Sequence, residues 1–161
     1  MGGPDAERDI SIRSGEAVVS ALKKSNKFIV KKIILEKSNQ TVLNNLDTDV
    51  VFPVLHGPYG EGGPLQSILE KNKIPFVGNT GAASKIAMDK NKTKEIVNKI
   101  GVPTPLWMCI SNQAEIRIDL PFVLKPINEG SSVGLAICKN QEDVNHACKE
   151  LLTGNLYLVE K

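Results

Sequence analysis

Apolar and polar positions alternate in blocks along the first 78 residues, and the blocks predict strands and helices in turn. Runs rich in β-branched residues predict strands at 28–35, 49–56 and 74–77. Helical spacing of apolar side chains predicts helices at 10–24 and 64–73. Strands that alternate with helices favour an α/β sheet with parallel pairing.

The pattern changes after Gly78. Two consecutive helices are predicted at 79–90 and 91–100, and a third at 142–152. Short apolar runs predict four strands, at 106–110, 121–125, 133–138 and 156–160. Helices followed by clustered strands indicate an α+β unit, so the sequence predicts two domains, 1–78 and 79–161.

The chain opens Met1-Gly2-Gly3, and a glycine pair of this kind normally follows a strand. No strand precedes it here, so we expect the first strand of the parallel sheet to be missing. A sheet without that strand would bury less apolar area and leave an unpaired edge.

Composition and charge exclude several classes of function. Twenty Lys and Arg face 18 Asp and Glu, and a net charge of +2 gives no basic field for nucleic acid or anionic lipid. The longest apolar run, 50–55, is short and contains a proline, so neither a membrane span nor a secretory signal is expected. Three cysteines without CxxC spacing and only two histidines indicate reduced thiols and no metal site. We therefore expect a cytoplasmic protein that binds neither nucleic acid nor membrane.

Segment 125–134, KPINEGSSVG, carries the most informative chemistry. A lysine closes an apolar strand, and glycine and two serines form a short linker before the next strand. Backbone N–H groups, serine hydroxyls and the Lys125 charge suit phosphate oxygens, but an ordinary hairpin loop would use the same turn residues. The segment is not a GxxxxGK[ST] loop, and no GxGxxG fingerprint occurs elsewhere.

Lys90, with Lys92 and Lys94 close behind it, is a second candidate for binding phosphate. A charge run of this kind is usually a solvated helix face. The alternative is that Lys90 joins Lys125 at one phosphate group. The two lysines are 35 residues apart, and that separation does not show whether they meet.

Three other elements each allow two interpretations. His56, before the glycine-rich loop 57–63, ends a buried strand where α/β sheets bind ligands, but it also suits a hydrogen-bonded structural histidine. Glu7 either complements a helix N-terminus or pairs with a substrate ammonium. Glu160 and Lys161 either present polar groups to a nucleotide base or form a frayed end.

Six segments, in this order, resemble the D-alanine–D-alanine ligases of the ATP-grasp superfamily: GGPDAERDISIRSG, VVFPVLHGPYGEGGPLQSILE, IPFVGNTGAASKIAMDK, GVPTP, LPFVLKPINEGSSVG and YLVEK. The resemblance covers nearly the whole chain. It implies a Rossmann-like parallel-sheet domain at 1–78 and the α+β ATP-grasp central domain at 79–161. It also implies an enzyme that joins two D-alanines with ATP, through an acyl phosphate and a tetrahedral intermediate, for peptidoglycan synthesis.

The resemblance implies a role for residues on the D-alanine side of the site. Glu7 matches the carboxylate that holds the ammonium of the first D-alanine, and His56 matches the histidine that lines the same site. Ser131 matches a serine in a hydrogen-bond network that includes the equivalent of Glu7. Glu7 and Ser131 are thereby the candidate catalytic residues.

The resemblance implies ATP contacts as well. Lys90 and Lys125 match two lysines that contact the phosphates, and the loop Gly130-Ser131-Ser132 matches the one that closes over them. Glu160 and Lys161 match residues of the adenine pocket. Lysines, backbone amides and Mg²⁺ together neutralise charge during phosphoryl transfer to a carboxylate.

The sequence also departs from the family pattern. Pro4-Asp5 stands where a small hydroxyl residue is common, and the loop 60–63 is GEGG where GEDG is commoner. The family's third domain, which carries the Mg²⁺ ligands, the oxyanion-stabilising arginine and a mobile loop, would begin after Lys161. We expect the 161-residue chain alone not to catalyse ligation, and the complete enzyme to be a homodimer.

Two alternatives stay open at the level of sequence. The first is a non-catalytic nucleotide-binding module or degenerate paralogue, against which the retention of Glu7, His56, Lys90, Lys125 and the serine loop argues. The second is a dinucleotide-dependent oxidoreductase, which would need the glycine fingerprint that is missing. Within the ligase interpretation, D-alanine, D-lactate or D-serine as second substrate is undecided.

Overall fold

The computed structural model describes residues 1–36, 40–151 and 156–161. The chain divides into two compact units, Met1–Lys85 and Ile86–Lys161. Each unit is considered by itself. The domain boundary near residue 78 stays a prediction.

The first unit contains three complete helices: α1 (Arg8–Lys24), α2 (Gly57–Glu61) and α3 (Pro64–Lys71). A 3₁₀ helix lies at Gln40–Asn45, and α4 (Gly81–Met88) begins in this unit. The predicted helices at 10–24 and 64–73 are confirmed by α1 and α3. The core of the unit consists of five buried leucines, Leu35, Leu43, Leu55, Leu65 and Leu69.

Among the described residues of the first unit, parallel pairing is limited to two isolated bridges, Gly2 with Leu35 and Val51 with Phe76. Of the predicted strands at 28–35, 49–56 and 74–77, only single residues therefore take part in β-pairing there. Residues 1–3 lie next to Leu35, because Gly3 N–H donates to the Leu35 carbonyl (2.9 Å) and Leu35 N–H donates to that of Met1 (2.9 Å). The pairing is parallel, as predicted, but the described residues form no regular strands around it.

Ser11 fastens α1 to this pairing. Its side chain is fully buried; the hydroxyl accepts from Gly2 N–H (2.9 Å) and donates to the Val54 carbonyl. Asp9 in the first turn and Lys23 in the last complement the dipole of the helix. Ser11 therefore connects the helix to two backbone segments at once.

Replacing Ser11 by Ala should lower the free energy of unfolding of the first unit by about 1–2 kcal/mol, because a buried N–H and a buried carbonyl lose their partner. Urea unfolding followed by circular dichroism measures the loss. Ser20, exposed on the same helix, provides the matched control Ser20→Ala. Equal stability of the two variants would contradict the anchoring role.

The second unit holds helices α5 (Lys90–Lys99) and α6 (Gln141–Leu151) with a four-stranded antiparallel sheet. Its strands are β1 (Trp107–Ile110), β2 (Phe122–Pro126), β3 (Ala136–Cys138) and β4 (Tyr157–Glu160), in the order β1-β4-β2-β3. Asp89 caps α5, since its carboxylate accepts from Lys92 N–H (3.0 Å). The predicted α+β arrangement is confirmed, although residue 152 of the predicted third helix lies outside the described residues.

One face of this sheet forms the core of the second unit. Alternate residues of the strands, Ile110, Phe122, Leu124, Cys138, Tyr157 and Val159, pack there with Val144 and Ala147 of α6. Because side chains alternate across a strand, the residues between them point to the other face. That second face carries the polar candidates. No helix in the described part of the chain is long and apolar enough to cross a membrane.

Candidate functional site

The second face of the sheet brings together residues that are far apart in the sequence. Glu160 of β4 is paired in register with Trp107 on one side and with Val123 on the other. Lys125 follows Val123 by two positions in β2, so its side chain lies on the same face. The strand order therefore places Glu160 beside Lys125.

Glu160 lies between two lysines. Its Oε2 accepts from the Lys125 ammonium and its Oε1 from the Lys94 ammonium. The three side chains are 16%, 21% and 9% exposed, respectively. Burial alone would raise the pKa of the Glu160 carboxyl, but hydrogen bonds and charges from Lys125 and Lys94 outweigh burial and lower it. Glu160 is thus held as a carboxylate.

Lys90 reaches the segment that follows β2. It is the first residue of α5, and its backbone N–H donates to the Ile127 carbonyl (3.1 Å). Its ammonium donates to the carbonyls of Ile127 (3.3 Å) and Glu129. Lys90 is therefore fixed against the segment that the sequence predicts to bind phosphate.

The charge of Lys125 acts on Lys90. Burial lowers the pKa of the Lys90 ammonium most and the positive charge of Lys125 lowers it further, while Glu129 and Asp89 raise it. Lys90 contacts Ile127 and Glu129, the second and fourth residues after Lys125. Two cations, predicted separately from the sequence, are thus brought to one short segment of the second unit.

The loop after β2 has an uncommon backbone. Ser131 and Ser132 have positive φ angles of 49° and 59°, and Gly134 follows with 68°. Non-glycine residues rarely adopt this left-handed conformation. Gly130, Ser131 and Ser132 are all exposed. The loop directly follows Glu129, whose carbonyl accepts from the Lys90 ammonium.

A cavity of about 740 Å³ adjoins the same loop. Its lining includes Asp89, Cys109, Ile127, Glu129 and Tyr157.

The three cysteines of the chain are all free. Burial raises the pKa of the Cys109 thiol, and the charges of Asp89 and Glu95 raise it further. The thiol is therefore poorly suited to act as a nucleophile.

His56 and its loop form a separate cluster in the first unit. His56 Nδ1 lies 3.8 Å from Glu61 Oε1, and its Nε2 lies 3.5 Å from Ser14 Oγ. Glu61 also accepts from Gly57 N–H (2.8 Å) at the start of α2. The histidine ring is half-buried and is held by hydroxyl and carboxylate neighbours.

Asp5, which stands where the family commonly has a small hydroxyl residue, has a hydrogen-bond partner in this chain. Its Oδ2 accepts from Tyr59 N–H (2.8 Å) in the first turn of α2. Gly57 has φ +82°, and a Cβ there would lie 2.8 Å from the Asp5 Cβ. A glycine is therefore required at 57, and Asp5 ties the N-terminal residues to the His56 loop.

Glu7 lies at the N-cap of α1 without a side-chain cap hydrogen bond to that helix. Its backbone carbonyl accepts from Ser11 N–H (3.0 Å), and its side chain is half-buried. Glu7 and His56 belong to the first unit, whereas Ser131 belongs to the second. Their predicted roles stay predictions.

Lys161 is not brought to the Lys125–Glu160 pair. Its ammonium donates to the carbonyls of Asp119 (2.9 Å) and Leu120 (3.3 Å), and its backbone N–H donates to that of Leu106 (2.9 Å). Its predicted part in an adenine pocket stays a prediction.

Sequence reasoning missed Lys94. A solvated helix face was the ordinary interpretation of the run that contains it, and Lys92 is indeed exposed. Lys94 instead is buried, with its ammonium 5.0 Å from the centre of the Trp107 ring. The available signal was its spacing of four residues from Lys90, which places both on one face of α5.

The described residues do not gather three or more His, Cys, Asp or Glu side chains at a point where they could hold a metal ion. Of the acidic groups near the lysines, the Asp89 carboxylate is engaged with a backbone N–H and the Glu160 carboxylate with two ammonium groups. The residues present therefore do not fit a Mg²⁺ site of their own.

The fold is that of the ATP-grasp ligases. The family model "D-ala D-ala ligase N-terminus" matches residues 35–79, and "D-ala D-ala ligase C-terminus" matches residues 85–161. The chain belongs to the D-alanine–D-alanine ligase family.

Individual relatives agree with the family models. The D-alanine–D-alanine ligase of Fusobacterium nucleatum is 38% identical over 94% of this chain and 52% of its own length. The ligase of Bacillus anthracis superimposes with a TM-score of 0.86 and 31% identity over 100% of this chain and 55% of its own. The same enzyme complexed with ATP gives a TM-score of 0.84 and 29% identity, over 100% of this chain and 57% of its own. The chain spans about half the length of the curated relatives it matches.

Proposed function

We propose that this chain supplies the ATP contacts and part of the D-alanine site of an enzyme that joins two D-alanines for peptidoglycan synthesis. The observation that carries the proposal is that Lys90 contacts the segment that follows Lys125 and leads into the serine-bearing loop. Family membership supports it, as does the likeness to a ligase in complex with ATP. The domains are 1–78, for D-alanine, and 79–161, for ATP.

The nucleotide is the proposed ligand of the second unit. Lys90 and Lys125 neutralise phosphate oxygens, and the donors of Gly130, Ser131 and Ser132 close over the same oxygens. Glu160 and Lys161 lie at the adenine. Charge neutralisation of this kind lets the carboxylate of the first D-alanine approach the γ-phosphorus, and ADP then leaves with the bridging oxygen.

D-alanine is the proposed ligand of the first unit. Glu7 pairs with the ammonium of the first D-alanine, and His56 lines its site. In the second step the amine of the second D-alanine attacks the acyl-phosphate carbonyl, and phosphate leaves from the tetrahedral intermediate. An enzyme of this kind is proposed to act in the cytoplasm as a homodimer.

Mg²⁺ is proposed to accompany ATP, and it would add positive charge at the phosphates during transfer. Because the described residues hold no ligand set for it, this chain's part is limited to the lysine and loop contacts.

Phosphate release from ATP by the full protein that carries this sequence tests the proposed reaction. We expect the release to require D-alanine and not to occur with L-alanine in its place. Calorimetry should detect binding of ATP and no binding of NAD at micromolar concentration. Release without D-alanine would contradict the ligase reaction, and failure to bind ATP would contradict the nucleotide site.

A further inference from the structure

Lys94 is an uncommonly buried lysine whose ammonium has polar and aromatic neighbours. The ammonium donates to Glu160 Oε1 and to Thr104 Oγ1, and it lies over the Trp107 ring. Only 9% of the side chain is exposed. Lysines are rarely buried to this extent unless they are paired, and the carboxylate that pairs with Lys94 is Glu160.

The two oxygens of Glu160 are divided between two lysines. Lys94 takes Oε1 and Lys125 takes Oε2. If Lys125 were the only partner, its transfer to a phosphate would leave a largely buried carboxylate unpaired, which is costly. With Lys94 in place, the carboxylate keeps one ammonium when the other leaves.

The surroundings of Lys94 fix it where it is. Trp107 Nε1–H donates to Asn91 Oδ1 (2.9 Å), which ties β1 to α5, the helix that carries Lys94. Thr104, in the segment before β1, takes a further hydrogen bond from the ammonium. Lys125, by contrast, has Glu160 as its partner and is more exposed. Of the two lysines, Lys125 is the one placed to change partners.

We propose that Lys94 is a positioning residue that keeps Glu160 paired, so that Lys125 can leave the carboxylate and bind a nucleotide phosphate. This inference rests on the proposed function, since it assigns Lys125 to ATP. Lys94 does not touch the nucleotide itself. Its effect on ATP passes through Glu160.

ATP affinity of the full chain, measured by calorimetry, tests the inference in two backgrounds. Lys94→Met should raise the Kd for ATP at least tenfold, because Glu160 then holds Lys125 alone. In the Glu160→Gln background the same Lys94→Met change should alter the Kd less than threefold, because no carboxylate is left to hold Lys125. Lys94→Arg, which keeps the charge, should stay within threefold of the wild type.

Lys99→Met provides the matched control, since Lys99 is exposed on the same helix, and it should leave the Kd unchanged. A loss of affinity that is equal in both backgrounds would overturn the inference, because a purely structural lysine would act without Glu160. So would an unchanged Kd in Lys94→Met. If that variant does not fold, Lys94→Gln, which is uncharged but polar, takes its place in both backgrounds.

Failure of the proposed function is distinguishable from failure of this inference. A wild-type chain that does not bind ATP, or whose affinity is unchanged by Lys125→Met, contradicts both. A wild type that binds ATP and loses affinity with Lys125→Met, but not with Lys94→Met, contradicts the role of Lys94 alone.

Discussion

Replacing Lys125 by Met should weaken ATP binding by about tenfold to a hundredfold. A hydrogen bond to a charged group contributes about 1.5–3 kcal/mol, and Met keeps the length of the side chain but not its charge. The pair with Lys94 leaves Glu160 with a partner in this variant, so the unit should stay folded. Calorimetric titration with ATP measures the change.

Lys92 supplies the comparison for Lys125. It is 56% exposed and pairs with Asp89 within its own helix turn (3.4 Å). Exposed ion pairs of this kind contribute little, so Lys92→Ala should change ATP affinity less than twofold. Equal losses in the Lys92 and Lys125 variants would mean that the phosphate contacts are wrongly assigned.

The fold of the second unit could be predicted from the sequence because its signals are local. Apolar runs of strand length and helical periodicity located β1, β2, β4 and α5 within a few residues. The order of the strands in the sheet was not predicted. Pairing of β4 between β1 and β2 depends on side-chain packing across the core, and no short-range pattern records it.

The first unit shows how an apolar run can mislead. Ile29 is 96% exposed and Phe28 is 57% exposed, although their run predicts a strand. A run of β-branched residues forms a regular strand only where neighbours pair with its backbone, and here the parallel pairing is confined to the bridges at Leu35 and Val51. The composition of the run does not reveal whether such neighbours exist.

The candidate site was predicted in its residue types but not in its connections. Lys90, Lys125 and Glu160 were identified one by one, and their proximity follows from the strand order and the position of α5. For Lys94 the sequence predicts a solvated helix face, because runs of charged residues usually lie on one. In the structure, its ammonium lies instead against Trp107 and Glu160. Glu160, the carboxylate that pairs with Lys94, is 66 residues away from it in the sequence.

The stability of the second unit should depend on the ionised form of Glu160. At pH 7, Glu160→Gln should lower the free energy of unfolding by about 2–3 kcal/mol, because two half-buried or buried ammonium groups lose their common partner. The pKa of Glu160 is lowered in the folded protein, so its contribution is present above the pKa of the unfolded chain, about 4.3, and is lost as the pH falls through the folded pKa. The difference between wild type and variant should therefore narrow below about pH 4.

Urea unfolding at pH 7, 5, 4 and 3 measures this difference. Fluorescence of Trp107, the single tryptophan of the chain, reports the unfolding of the unit that contains Glu160. Glu150→Gln, an exposed change on α6, should leave stability within about 0.5 kcal/mol of the wild type at every pH. A deficit in Glu160→Gln that is constant from pH 7 to pH 3 would mean that the carboxylate charge is not what the two lysines require. In that case lost packing or hydrogen bonding, rather than charge, would explain the stability of this face of the sheet.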